Sequence, residues 1–147
     1  MRHYHLNHHE RLATGFTDVF AIYKADITQT LADEPSQVDL TPIKTGDLVM
    51  NDAFLEVITP VTGLTSALGA LAVRAVAGPL LGNSNLLAAG SRYYASEATT
   101  APKAAISNGI LGFDLTAGAG EVPASLTAGE FRIWISICRK TERNFQA

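Results

Sequence analysis

The sequence predicts an all-β fold, a single antiparallel β-sandwich of jelly-roll-like or immunoglobulin-like form, on three observations. In Phe131–Arg139 the alternation is unbroken, with Phe131, Ile133, Ile135 and Ile137 on one face and Arg132, Trp134, Ser136 and Cys138 on the other. A strand carrying four large apolar side chains in phase needs a facing layer to bury them. Shorter β-branched and aromatic runs recur upstream between turn residues, and the regular helical spacers of a βαβ pattern are missing. The 147 residues suffice for one hydrophobic core and do not comfortably hold two full domains. We divide them into an arm, 1–13, a sandwich domain, 14–139, and a polar tail, 140–147.

The segments follow in order. Thr17–Lys24 reads as a strand, with Val19, Ala21 and Tyr23 on one face and Phe20, Ile22 and Lys24 on the other. Asp26–Leu31 reads as a short extended piece pairing Ile27 with Leu31, broken by the AspGluProSer run at 33–36. Val38–Ile43 alternates weakly, and LysThrGlyAsp at 44–47 is a tight turn in front of LeuValMet. Asp52–Thr62 is an inner strand ending near Pro60, and a face holding both Phe54 and Ile58 implies contact on both sides of its sheet.

Leu64–Ala77 supports two readings. Leu64, Leu68, Leu71 and Ala75 fit a helical stripe, whereas Leu71 and Val73 share a strand face with Gly69 and Gly78 as punctuation. Strand is preferred because every clear neighbour is one. Asn83–Ala89 is a single helical turn or a connecting segment, and 91–105 is a long surface loop, functional or mobile. Asn108–Leu115 is a further strand, and the glycine, alanine and threonine tract through Pro123 is a hairpin-like loop leading into the last strand.

Charge narrows the function classes. Only 17% of residues are charged, against roughly 25% in an average soluble domain, while 47% are hydrophobic. Much of the surface is therefore small and weakly polar, or is covered by a partner. A net charge of -3 without an internal basic run disfavours binding to nucleic acid through phosphates. No continuous apolar stretch matches a secretion signal, a membrane span or an amphipathic anchor. One cysteine, Cys138, excludes an intrachain disulfide and any CxxC motif.

The chain lacks the dinucleotide, P-loop, nucleophile-elbow, HExxH and EF-hand patterns. All four histidines, His3, His5, His8 and His9, lie in the arm. His3 and His5 share a face if the segment is extended, and His5 and His9 lie one turn apart if it is helical. Imidazole suits zinc, nickel or copper, but a site needs a third or fourth ligand in fixed geometry. The arm is read as solvated or partner-contacting, with no metal and no cofactor assigned. Cys138 has no histidine after residue 9 to pair with, and Asp47, Asp52 and Glu56, or Asp114 with Glu130, are as readily turn caps and solvated strand positions as catalytic pairs.

The candidate interface residues are Tyr4, Leu6, Tyr93, Tyr94, Arg132 and Trp134. Trp134 beside Arg132, opposite the isoleucine stripe, meets either a loop of its own chain or a neighbouring subunit. Tyr93 and Tyr94 offer rigid amphipathic area, and Tyr4 and Leu6 are the apolar anchors of the arm.

The run FTDVFAIYKADIT, a polar stretch, TGDLVMNDAFLEVITPVTGLTSALGALAV, the link NLLAAG and finally LTAGEFRIWISIC together resemble tailed-bacteriophage virion proteins of the head-decoration (cement) or tail-accessory kind, over about residues 14–139. The alanine-rich Leu68–Ala77 and the histidine-bearing arm depart from that pattern. The resemblance implies a compact module that binds the outside of a capsid or stiffens a virion assembly, located in the virion and assembled in the host cytoplasm.

The expected function is accordingly a non-enzymatic structural protein that decorates or stabilises a phage capsid. Its partners would be further copies of itself, as a dimer or trimer, and a major capsid or other virion protein, with no nucleic acid and no membrane. The alternatives are a carbohydrate- or receptor-binding accessory module and, less favoured, a small enzyme using the N-terminal histidines.

Overall fold

The computed structural model describes residues 1–49, 53–74, 79–94, 103–104 and 109–140. Among the described residues the fold is all-β, with antiparallel strand pairs and one short α-helix. Its strands are Arg2–His5 (β1), Asp18–Tyr23 (β2), Ser36–Ile43 (β3), Leu48–Val49 (β4), Phe54–Thr62 (β5), Ala67–Val73 (β6), Pro79–Asn85 (β7), Arg92–Tyr94 (β8), Lys103–Ala104 (β9), Gly109–Ala117 (β10), Ala128–Ile135 (β11) and Ile137–Cys138 (β12). The helix, His8–Thr14 (α1), joins β1 to β2.

These strands form three sheets instead of one simple pair. One has the order β1-β2-β11-β5-β8, a second β3-β10-β6-β7, and a small third β12-β4-β9. Phe20, Ile22, Leu55, Phe131, Ile133 and Ile135 of the first sheet join Leu71, Val73, Leu111, Phe113 and Leu115 of the second in one buried cluster. The Phe113 and Phe131 rings meet with centroids 5.7 Å apart. Phe131, Ile133, Ile135 and Ile137 are all buried, as their alternation requires.

Of the two readings for 64–77, strand holds for Ala67–Val73, which pairs with both β10 and β7; Leu64, Thr65 and Ser66 lead into it, Arg74 is a turn residue, and 75–77 lie outside the described residues. Gly69 is not a turn residue. It lies buried in the middle of β6, where a Cβ would come within 2.9 Å of Phe113 Cε2 and 3.0 Å of Leu86 Cδ2. The missing side chain is what lets the Phe113 ring lie against β6.

Several local expectations give way to tertiary hydrogen bonds. Asp26–Leu31 is not a strand: a 3-10 turn at Lys24–Asp26 is held by the Tyr23 N–H donating to Asp26 Oδ2 at 2.8 Å. The Thr28 and Gln29 N–H groups then go to Ser36 Oγ, so Ile27 enters the core and Leu31 stays 64% exposed. Asn83–Asn85 belongs to strand β7, and the expected loop at 91–105 begins with strand β8. β5 runs past Pro60 to Thr62, with its pairing to β11 irregular over that stretch.

The tract between β10 and β11 is a crossover between two sheets, not a hairpin. Glu121 pins it by accepting from the Thr65 N–H at 2.8 Å and the Gly118 N–H at 3.0 Å. The last alternating run breaks at Ser136. There the Ile137 N–H donates to Thr17 Oγ1 at 2.8 Å, and the strand leaves the first sheet for the third.

Candidate functional site

Residues 1–13, read from the sequence as an arm, include the outermost strand of the five-stranded sheet. β1 pairs antiparallel with β2 so that His3 lies opposite Phe20, Tyr4 opposite Val19 and His5 opposite Asp18. Asn7 then caps α1: its side chain accepts from the Glu10 N–H, and Glu10 Oε2 accepts from the Asn7 N–H. Gly15 ends the helix in the left-handed conformation, φ 77°, where its N–H reaches Arg11 O at 2.8 Å. The two caps define the ends of a helix that has no buried residue.

Strand alternation puts His3 and His5 on the same side of β1, and antiparallel pairing puts Asp18 on that side too. His3 Nε2 lies 2.7 Å and His5 Nδ1 3.0 Å from Asp18 Oδ1. Asp18 is only 1% exposed, and its other oxygen accepts from the Thr17 hydroxyl. Burial pushes this carboxyl towards its neutral form, but the hydrogen bonds from Thr17, His3 and His5 outweigh it and hold the group below the ordinary aspartate range. The His3 ring stacks on buried Phe20, 4.3 Å between centroids. Arg11 approaches from α1, with Nη2 2.6 Å from His5 Nε2 and Nε donating to Leu6 O at 2.8 Å.

On the other face of the same sheet, Trp134 is half-buried beneath Phe16 and against Phe54, with centroids 6.2 and 5.8 Å away. An open groove of about 540 Å³ collects Tyr4, Leu6, Arg132 and Trp134, with His3 and His5 along its border. Four of the six sequence-derived interface candidates therefore come together. Tyr93 does not join them: it is half-buried against the core, opposite Leu55. The Tyr94 backbone pairs with Phe54, and its side chain lies outside the described residues.

The carboxylates weighed as catalytic pairs are occupied by separate partners. Asp114 accepts from Arg74 at 3.2 Å, and Glu130 faces Arg132 at 3.9 Å. Glu56 lies 3.2 Å from Arg92. Asp47 is buried in a clip formed by the Lys44 and Lys140 N–H groups and the Arg139 guanidinium. Asp52 lies outside the described residues, and Cys138 is a half-buried free thiol.

Asp18 was not singled out from the sequence, although its signal was present. Extending the Phe20 and Ile22 face by two residues towards the N-terminus places a carboxylate in phase with the core. It supplies the third group that the histidines lacked in the linear chain. Comparison with protein-family models, with curated proteins and with solved structures found no significant match to the chain.

Proposed function

We propose that the chain is a non-enzymatic virion structural protein that decorates or stabilises a phage capsid through protein–protein contacts, with its two larger sheets acting as the halves of a sandwich. The observation that carries this reading is the open edge at β1. Among the described residues this strand has a neighbour on one side only, and exposed Tyr4 stands beside the groove that holds Leu6, Arg132 and Trp134. An edge strand with adjoining apolar and aromatic side chains suits the addition of a partner strand. Leu12 on α1, 73% exposed, is a further apolar side chain open to a partner.

The low charged fraction of the chain, 17%, supports self-association as a dimer or trimer, closed by symmetry. Light scattering over a concentration series measures that state directly. The assignment is tested by co-sedimentation of the full chain with heads of its phage that lack it. Saturable binding, weakened by Tyr4→Ala or Arg132→Glu, is the expected result. Glycan-array binding with no affinity for heads would replace this reading with the carbohydrate-binding one.

A further inference from the structure

We propose that His3, His5 and Asp18 form a binding site for one divalent transition-metal cation of the zinc class, which clips the edge strand β1 to β2. The three donor atoms, two imidazole nitrogens and one carboxylate oxygen, lie within 4.8 Å of one another. Zinc takes His nitrogen at about 2.0–2.1 Å and carboxylate oxygen at about 2.0–2.2 Å, so three such donors around one ion stand roughly 3–4 Å apart. The present 2.7 and 3.0 Å separations are hydrogen-bond lengths. Opening them by a few tenths of an ångström is within reach of two histidine side chains that are 35% and 52% exposed.

The ligands differ in how firmly they are held, and that difference favours a site. Asp18 is buried, and Thr17 fixes its Oδ2, leaving Oδ1 as a monodentate ligand aimed at both imidazoles. His3 is oriented by its stack on Phe20. The spacing of two residues on one strand, with the carboxylate directly across from His5, is a consequence of register and does not depend on a flexible loop. Two imidazoles and one carboxylate leave coordination positions open towards solvent, the arrangement of a site that keeps water as a further ligand.

Arg11 sets a specific condition on loading. Guanidinium can only donate, so its contact at 2.6 Å makes His5 Nε2 an acceptor and leaves the ring proton on Nδ1, facing Asp18. Likewise His3 carries its proton on Nε2, because an ionised Asp18 only accepts. A cation at the three donors requires both neutral rings to hold their protons on the opposite nitrogens. For His5 that places N–H against the Arg11 N–H, so Arg11 must withdraw from Nε2. Arg11 therefore competes with the metal, although it never touches it.

The test is calorimetric titration of the full chain with zinc chloride at pH 7.5 in a non-coordinating buffer, with cobalt(II) absorption as a second readout. One equivalent should bind. His3→Gln and His5→Gln should each weaken binding by about tenfold or more, in the range typical of lost metal-site interactions. Arg11→Ala should tighten it severalfold. The double substitution His8→Gln with His9→Gln, which alters the exposed histidine pair on α1 without touching the three donors, should leave it unchanged. Bound zinc should also slow hydrogen exchange of the β1 amides, a readout that an unstructured histidine tract would not give. Absence of stoichiometric binding, or binding lost with His8 and His9 but kept without His3 and His5, overturns the proposal. This site is independent of the assembly role: loss of head binding would leave it standing.

Discussion

Trp134 lies flat against Phe54, with ring centroids 5.8 Å apart and planes 9° from parallel, and its indole N–H points at Glu56 Oε2 from 3.4 Å. The two rings belong to neighbouring strands, since Trp134 of β11 and Phe54 of β5 are directly opposed. Phe16 closes over both from the segment between α1 and β2. The outer face of the five-stranded sheet is thus partly covered by the chain itself, which explains how Phe54 can point away from the main core.

Trp134 is the only tryptophan, so the protein's tryptophan fluorescence reports this one site. Phe54→Ala should shift its emission to longer wavelength by admitting water. A double-mutant cycle with Trp134→Leu should give a coupling of about 0.5–1.5 kcal/mol. Zero coupling in urea unfolding would show that the stack contributes nothing beyond buried area.

Gly69→Ala should destabilise the fold by roughly 1–3 kcal/mol, the usual cost of overpacking a filled core. The new methyl would meet the Phe113 ring edge and Leu86, both of them fully buried side chains. Adding Phe113→Leu should make the second substitution less costly than it is alone. Simple additivity in the thermal midpoints would refute the steric account.

Ile133→Ala and Ile135→Ala should each cost about 2–5 kcal/mol, because both side chains are fully buried between sheets and leave a cavity when shortened. Ile58→Ala, on the same type of residue but 37% exposed, should cost well under half as much. Equal losses at the three sites, read from denaturant midpoints at unchanged slope, would contradict this assignment of faces.

Acid should release the clip at Asp47. Burial works to raise this carboxyl, but the Lys140 and Lys44 N–H groups and Arg139 more than offset it, so its folded value lies below the ordinary one. A depressed folded value means that the stabilisation is complete above the ordinary aspartate range and is lost as pH falls through the folded value. Asp47→Asn should therefore cost roughly 1.5–3 kcal/mol near neutral pH, the scale of hydrogen bonds to a charged group, and little below both values. Chemical denaturation across a pH series checks this, and a penalty independent of pH would exclude the ionic clip.

Much of the strand inventory was legible because alternation and turn chemistry are local. Phe131, Ile133, Ile135 and Ile137 announce their inward face, and LysThrGlyAsp announces a turn that Asp47 N–H closes on Lys44 O at 2.9 Å. Asp26–Leu31 misled because a single side chain, Ser36, takes the N–H groups that a strand neighbour would need. Gly69 misled because the reason for a glycine there is an aromatic ring from another strand. In the candidate site, the histidines were visible as a cluster while their carboxylate was not, since Asp18 lies 13 residues beyond His5 along the chain.

The period of the side chains along each run determined, from sequence alone, that the protein is built of β-strands and, for a run such as Phe131–Ile135, which face it buries. That follows from covalent geometry, in which successive residues of an extended chain point to opposite sides. Tertiary structure alone decided the division into three sheets, the crossover between β10 and β11, and the meeting of His3, His5 and Asp18. Those depend on which strands pair and in what register. A shift of one residue between β1 and β2 would turn the histidines away from the carboxylate while leaving every local pattern in the sequence unchanged.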